Sequence, residues 1–181
     1  DLEERLEIQQ QFKYFPVALG QMASKKTFTQ FIHGNDFEIG PFKISTMPLF
    51  HPGGSTSYKI HAGGKTMIFA TDTEFFGENL NEEISKSEPF FKDADLLLMD
   101  AQYSYEEAAA KIGWGHTSVQ IAIQCALAWN VGELVLTHHE PAYKNQKIHE
   151  LHKTQIQSME KEIENHHLKI RTAIEGTEYV L

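Results

Sequence analysis

The chain is poor in cysteine, in basic residues and in long apolar runs, and each shortage closes off a class of function. Its single cysteine, Cys125, excludes an internal disulfide and any thiolate-rich zinc site, so a metal here would need histidine and carboxylate ligands. Lys and Arg number 16 against 25 Asp and Glu, a formal charge of −9 that repels a nucleic-acid backbone unless the charge is segregated. No run of Lys and Arg provides that segregation, and long nucleic acids are not the expected partner. No apolar run approaches the length that spans a bilayer, and the opening DLEERLEIQQQF is acidic and polar rather than a basic lead into an apolar signal core. The sequence reads as a soluble, cytoplasmic protein with no membrane partner.

What is present suits one globular domain. The 181 residues are 41% apolar and 11% aromatic, enough for an ordinary core. Residues 1–41 read as a helical and loop lead-in, with a helix over residues 2–12 that ends before Pro16. Residues 42–181 read as a site-bearing sheet with helices. Phe42 to Phe50 is a strand with Pro48 near its end, and Ser57–His61 and Lys65–Asp72 are strands joined by a Gly63-Gly64 hairpin turn. Residues 73–94 read as a loop with a short helix. Leu96–Met99 and Glu133–Thr137 are short continuous apolar runs of the kind found in sheets covered on both faces by helices. A helix over residues 117–129 opens with a Thr117/Gln120 capping box, and a long amphipathic helix runs from Gln146 to Asn165. His149 and His152 on it read as a solvated face, and Cys125 as core. Residues 168–173 and 178–181 read as closing strands. Strands alternating with helices define an α/β layered architecture.

Polar residues collect where those strands end. His51 follows the first apolar strand, Asp72 follows Met67–Ala70, Asp100 closes LLLMD, His116 precedes a helix, and His138 and His139 close LVLTHH. In α/β sheets, chemistry gathers at the carboxyl ends of strands.

The set HPGG, ATDTE, LLLMDAQY, GWGHTS and LTHHEP, spanning about Phe42 to Pro141, resembles the metallo-β-lactamase-fold hydrolases. The resemblance is to the branch that holds cyclic-nucleotide phosphodiesterases, phosphonate-pathway phosphodiesterases and ribonuclease Z. It implies an αββα sandwich of which this chain is the C-terminal half. It also implies two divalent metal ions in the complete protein, zinc first, with manganese or iron as alternatives. By the same resemblance His51, Asp72 and His138 are metal ligands, with Asp72 bridging two metals and His139 able to stand in for His138. Asp100 and His116 match a catalytic pair, in which the histidine protonates the leaving oxygen and the carboxylate orients it. Gly54, Ser55 and His139 are expected against the substrate. The reaction implied is attack of a metal-bound hydroxide on a cyclic nucleotide or similar small phosphodiester; the alternative is a degenerate binding or scaffold module without catalysis.

One family feature is missing. Nothing before Phe50 resembles the HxHxDH-type motif that supplies four more ligands; His33, within HGND, is the only histidine there. The expectation is that an N-terminal half of the same protein acts as a partner that completes the site. A homodimer stays open.

Overall fold

The computed structural model describes residues 2–181, and contacts divide the chain into two compact units, one ending at Ile32 and the other spanning His33–Leu181. In the first, helix α1 (Leu2–Gln9) buries no residue and gives way at Gln10 to turns closed by hydrogen bonds from Tyr14 and Phe15 to the Gln11 carbonyl. The helix expected over residues 2–12 is therefore shorter.

The second unit is built on a seven-stranded mixed sheet in sequence order: β1 (Phe37–Ile39), β2 (Phe42–Leu49), β3 (Ser55–Ala62), β4 (Lys65–Ala70), β5 (Leu96–Asp100), β6 (Glu133–Thr137) and β7 (Lys169–Thr172). β1 to β4 pair antiparallel and β4 to β7 pair parallel. Gly63 and Gly64, with φ of +60° and +76°, make the two-residue turn between β3 and β4 and set Ala62 opposite Lys65. Because β2 runs parallel to β4, the carboxyl ends of β2, β4, β5 and β6 all face one edge. That edge receives the segments carrying His51, Asp72, Asp100 and His138.

Alternation along the strands separates two faces. Ile68, Ala70, Leu97, Met99, Leu134 and Leu136 join one core with helices α2 (Leu80–Phe91), α4 (Val119–Ala128), α5 (Asn145–Ser158) and α6 (Glu160–Glu164), while the short α3 (Tyr105–Ala109) lies between β5 and α4 in the chain. Leu96 and Val135 are also buried on the opposite face, which explains why β5 and β6 show no polar alternation. The helices of this unit nevertheless gather on one face rather than two, and on the other Ile39, Phe42 and Phe69 stay exposed.

Other elements differ from the sequence reading in ways that tertiary contacts explain. The stretch expected to be a loop with a short helix contains the three-turn helix α2, longer than expected, whose Phe91 stacks on the fully buried Trp129 with centroids 4.1 Å apart, while Trp129 Nε1 donates to the Ile84 carbonyl at 2.8 Å. α4 begins one residue later than expected: Ser118, not Thr117, is the cap and accepts from the Ile121 amide. Thr117 is taken by other bonds, accepting from the Phe75 amide and donating to the Thr73 carbonyl. The long helix breaks at Met159, which turns into the core between α5 and α6. Residues 178–181 form no strand.

Candidate functional site

Two site residues have an unusual backbone. Asp72, just past β4, and His138, directly after β6, have φ of +56° and +58°, the left-handed region that costs an ordinary side chain roughly 1 kcal/mol or more. The conformation turns each side chain back over the sheet edge, where His138 Nε2 meets Asp72 Oδ1 at 3.3 Å. The two residues follow β4 and β6, on either side of β5, so the contact bridges the end of the intervening strand.

Around that contact the ligand atoms of His51, Asp72 and His116 lie within 4.8 Å of one another, and so do those of Asp100, His116 and His138. The His116 ring is stacked on His138 with centroids 4.9 Å apart and meets His51 edge-on at 5.4 Å. Five of the residues singled out in the sequence, His51, Asp72, Asp100, His116 and His138, thus converge. His139 does not: its Nε2 hydrogen-bonds the Ala173 carbonyl at 3.2 Å and its ring packs on His152, away from the cluster. Gly54 closes the turn after His51 by donating its amide to the His51 carbonyl, and the Ser55 hydroxyl is engaged with the Thr71 carbonyl at 3.1 Å, one residue from Asp72.

Asp100 lies at the bottom of the cluster, fully buried. Its carboxylate accepts from the amides of Thr73, Gln102 and Thr117 and, at 2.8 Å, from His116 Nδ1. Burial pushes the Asp100 carboxyl up, while the His116 imidazole and the Thr117 amide draw it back; the same hydrogen bond raises the His116 imidazole. With Nδ1 committed to Asp100, His116 presents Nε2 to the open side of the cluster. Tyr103 packs against the His116 ring with centroids 6.2 Å apart, its hydroxyl pushed up to about 12 by burial and by Glu140.

The structure adds two residues that the sequence reading passed over. Glu74 is buried, and its carboxylate accepts from the Gly113 amide at 2.8 Å and the Gly115 amide at 2.7 Å, pinning the loop that delivers His116. Gly115, at φ +94°, lies beneath His51 and Pro52, where a Cβ would have no room. No spacing rule finds such a contact, because Glu74 reaches backbone amides some 40 residues away. His152 is the other correction: it is 2% exposed rather than solvated, its Nδ1 bonded to Thr172 Oγ1 at 2.7 Å.

A family model described as Beta-lactamase superfamily domain matches residues 2–139, well over half of the chain. Over 80 residues the chain is 36% identical to a ribonuclease Z of Prochlorococcus marinus (strain NATL1A), a stretch covering 44% of this chain and 23% of that protein. The fold resembles the crystal structure of the metallo-beta-lactamase fold protein YhfI from Bacillus subtilis, with a TM-score of 0.58, 20% identity, and coverage of 81% of this chain and 53% of that one. It also resembles Zn(2+)-bound PqqB from Methylobacterium extorquens, with a TM-score of 0.55, 17% identity, and coverage of 83% and 51%. The chain spans about half the length of these two structures. The mixed sheet with helices is the α/β, metallo-β-lactamase-like architecture that the motifs imply.

Proposed function

The chain belongs to the β-lactamase superfamily, and from that premise we propose that it carries the acid-supplying part of a metal-dependent hydrolase that cleaves a small phosphodiester. The observation that supports this is the buried Asp100–His116 pair, 2.8 Å apart, beside the strained Asp72–His138 contact. His51, Asp72 and His138 offer two imidazoles and a carboxylate, a donor set suited to zinc, manganese or iron, and would hold the cations. Divalent cations held there would supply Lewis acidity, neutralising charge on a phosphoryl group and acidifying water.

The remaining chemistry belongs to the chain. Asp100 accepts a hydrogen bond from His116 Nδ1–H, fixing the tautomer and leaving Nε2 for the substrate. Because the hydrogen bond raises His116, its imidazolium survives further into the neutral range and can donate the Nε2 proton to the departing alkoxide. Three amides and the His116 imidazole stabilise the Asp100 carboxylate against the burial that pushes its carboxyl up. A second reading has a specific support: His116 belongs to both groups of convergent ligand atoms, and in that reading its ring binds a cation with Asp100 behind it. A module that binds without catalysis is the remaining alternative.

The test is hydrolysis of cyclic nucleotides and of bis(4-nitrophenyl) phosphate by the intact protein that contains this chain, with metal content determined in parallel. We expect turnover that a chelator removes and that zinc or manganese restores. Protein that holds its cations yet hydrolyses neither substrate would favour the binding module.

A further inference from the structure

We propose that Trp114 is a stacking platform for a planar nucleobase on the leaving-group side of the phosphodiester, so that the favoured substrates are esters of nucleosides rather than of simple alcohols. The inference rests on the acid role of His116 for its orientation, and on separate observations for its existence.

The two tryptophans have opposite environments. Trp129 is fully buried against Phe91, whereas Trp114 is 60% exposed, two residues before His116. An indole left in water on a mobile loop would mean little, but this loop is fixed. Glu74 holds the amides of Gly113 and Gly115 on either side of Trp114, the Trp114 amide itself donates to the Lys111 carbonyl at 3.0 Å, and both glycines sit at positive φ, +86° and +94°. The backbone bends sharply at both neighbours and is bonded at all three positions, so the tryptophan is presented outward from a rigid turn. Holding a large aromatic in the open without paying its ordering cost at the moment of binding is what a recognition surface requires.

The side chains next to it lead back to the chemistry. Lys111 Nζ lies 5.6 Å over the Trp114 ring and 3.7 Å over the Tyr103 ring, and Tyr103 in turn packs on His116. Trp114, Lys111, Tyr103 and His116 therefore form one continuous strip. In this proposal, the carbon substituents of a leaving oxygen that takes its proton from His116 lie along that strip. The ammonium of Lys111 is already shared between two rings and Glu140, 3.9 Å away, so the strip offers a π-face more readily than a free cation. Every nucleobase has a π-face to match it, and stacking on an aromatic side chain discriminates a base from an aliphatic group without reading its sequence.

The experiment is binding, which does not depend on turnover. Adenosine 5′-monophosphate and ribose 5-phosphate are titrated against the metal-loaded protein by calorimetry, and tryptophan emission is followed in the same series. The nucleotide should quench the emission of the exposed indole saturably and leave the buried Trp129 component, and ribose 5-phosphate should not quench. Trp114→Ala should weaken the nucleotide about 5- to 100-fold, the range for loss of one base stack, with affinity for ribose 5-phosphate unchanged and with Trp114→Phe recovering much of the loss. Equal affinities of wild type and Trp114→Ala for the nucleotide, or equal losses for both ligands, would overturn the proposal. Hydrolysis of bis(4-nitrophenyl) phosphate by the wild type separates the two claims. Turnover without base-dependent quenching leaves the hydrolase reading standing and removes the platform, and quenching without turnover does the reverse.

Discussion

Gly115 carries no functional atom, yet it is the residue on which the site's two halves meet. A methyl group there would overlap His51 Cδ2 and lie 2.7 Å from Pro52 Cδ, and the φ of +94° is one that side chains resist. Gly115→Ala should therefore push His51 off its position and weaken divalent-cation binding by about 10- to 100-fold, the scale seen when support behind a metal ligand is removed. Competition with a chromogenic chelator measures it, and an unchanged affinity would mean that His51 does not hold the cation. The strand-end residues His51, Asp72, Asp100, His116 and His138 were legible in the sequence because each follows a recognisable strand or opens a recognisable helix. Glu74 was not, since its partners are the backbone amides of Gly113 and Gly115, and backbone amides leave no trace in side-chain pattern. Which of His138 and His139 joins the cluster also needed coordinates. It turns on the left-handed backbone of His138, which sends that ring to the cluster and leaves its neighbour bonded to Ala173.

At the level of elements, periodicity located β2 to β7 and α4 closely, and failed where a tertiary contact decided the outcome. Met159 interrupts the last long helix because its side chain enters the core there, and Thr117 gives up the cap of α4 to Ser118 because its hydroxyl is bonded to Thr73 and to the Phe75 amide. His152 is the clearest case. Its helical spacing with His149 suggested a wet face, but the partner that buries it, Thr172, lies across on β7. That burial has a consequence for stability. Desolvation, with the neighbouring His139 and His149, lowers the His152 imidazole from 6.5 to about 4, so the folded state gives up this proton while the unfolded chain keeps it. The contribution is complete above about pH 6.5, declines as the pH falls, and levels off below about 4, with at most about 3 kcal/mol at stake. Urea unfolding of the wild type and of His152→Gln at pH 7 and at pH 5 should show the wild type losing more stability than the variant over that interval. Parallel losses would show that His152 is not buried in its neutral form.

For the molecule as a whole, the formal charge of −9 and the edge-clustered site fit together. A surface of that sign disfavours extended polyanions, and under the proposed function a small phosphodiester would be selected by the cations, by the Asp100–His116 pair and by the exposed indole beside it, rather than by a basic track. Among the described residues no helix is long and apolar enough to cross a membrane. The account turns on what His116 does, and its most direct test is one variant examined in two ways. In hydrolytically active protein, His116→Ala should keep the cations of the wild type and lose about 10²- to 10⁴-fold in turnover of a substrate with a poor alkoxide leaving group. A nitrophenyl phosphodiester, whose leaving group scarcely needs a proton, should lose far less. Asp100→Ala should follow the same pattern, with the double variant little worse than either, because the carboxylate acts through the imidazole. Equal losses on the two substrates, or a cation lost together with the His116 side chain, would make His116 a ligand and contradict its role as the acid.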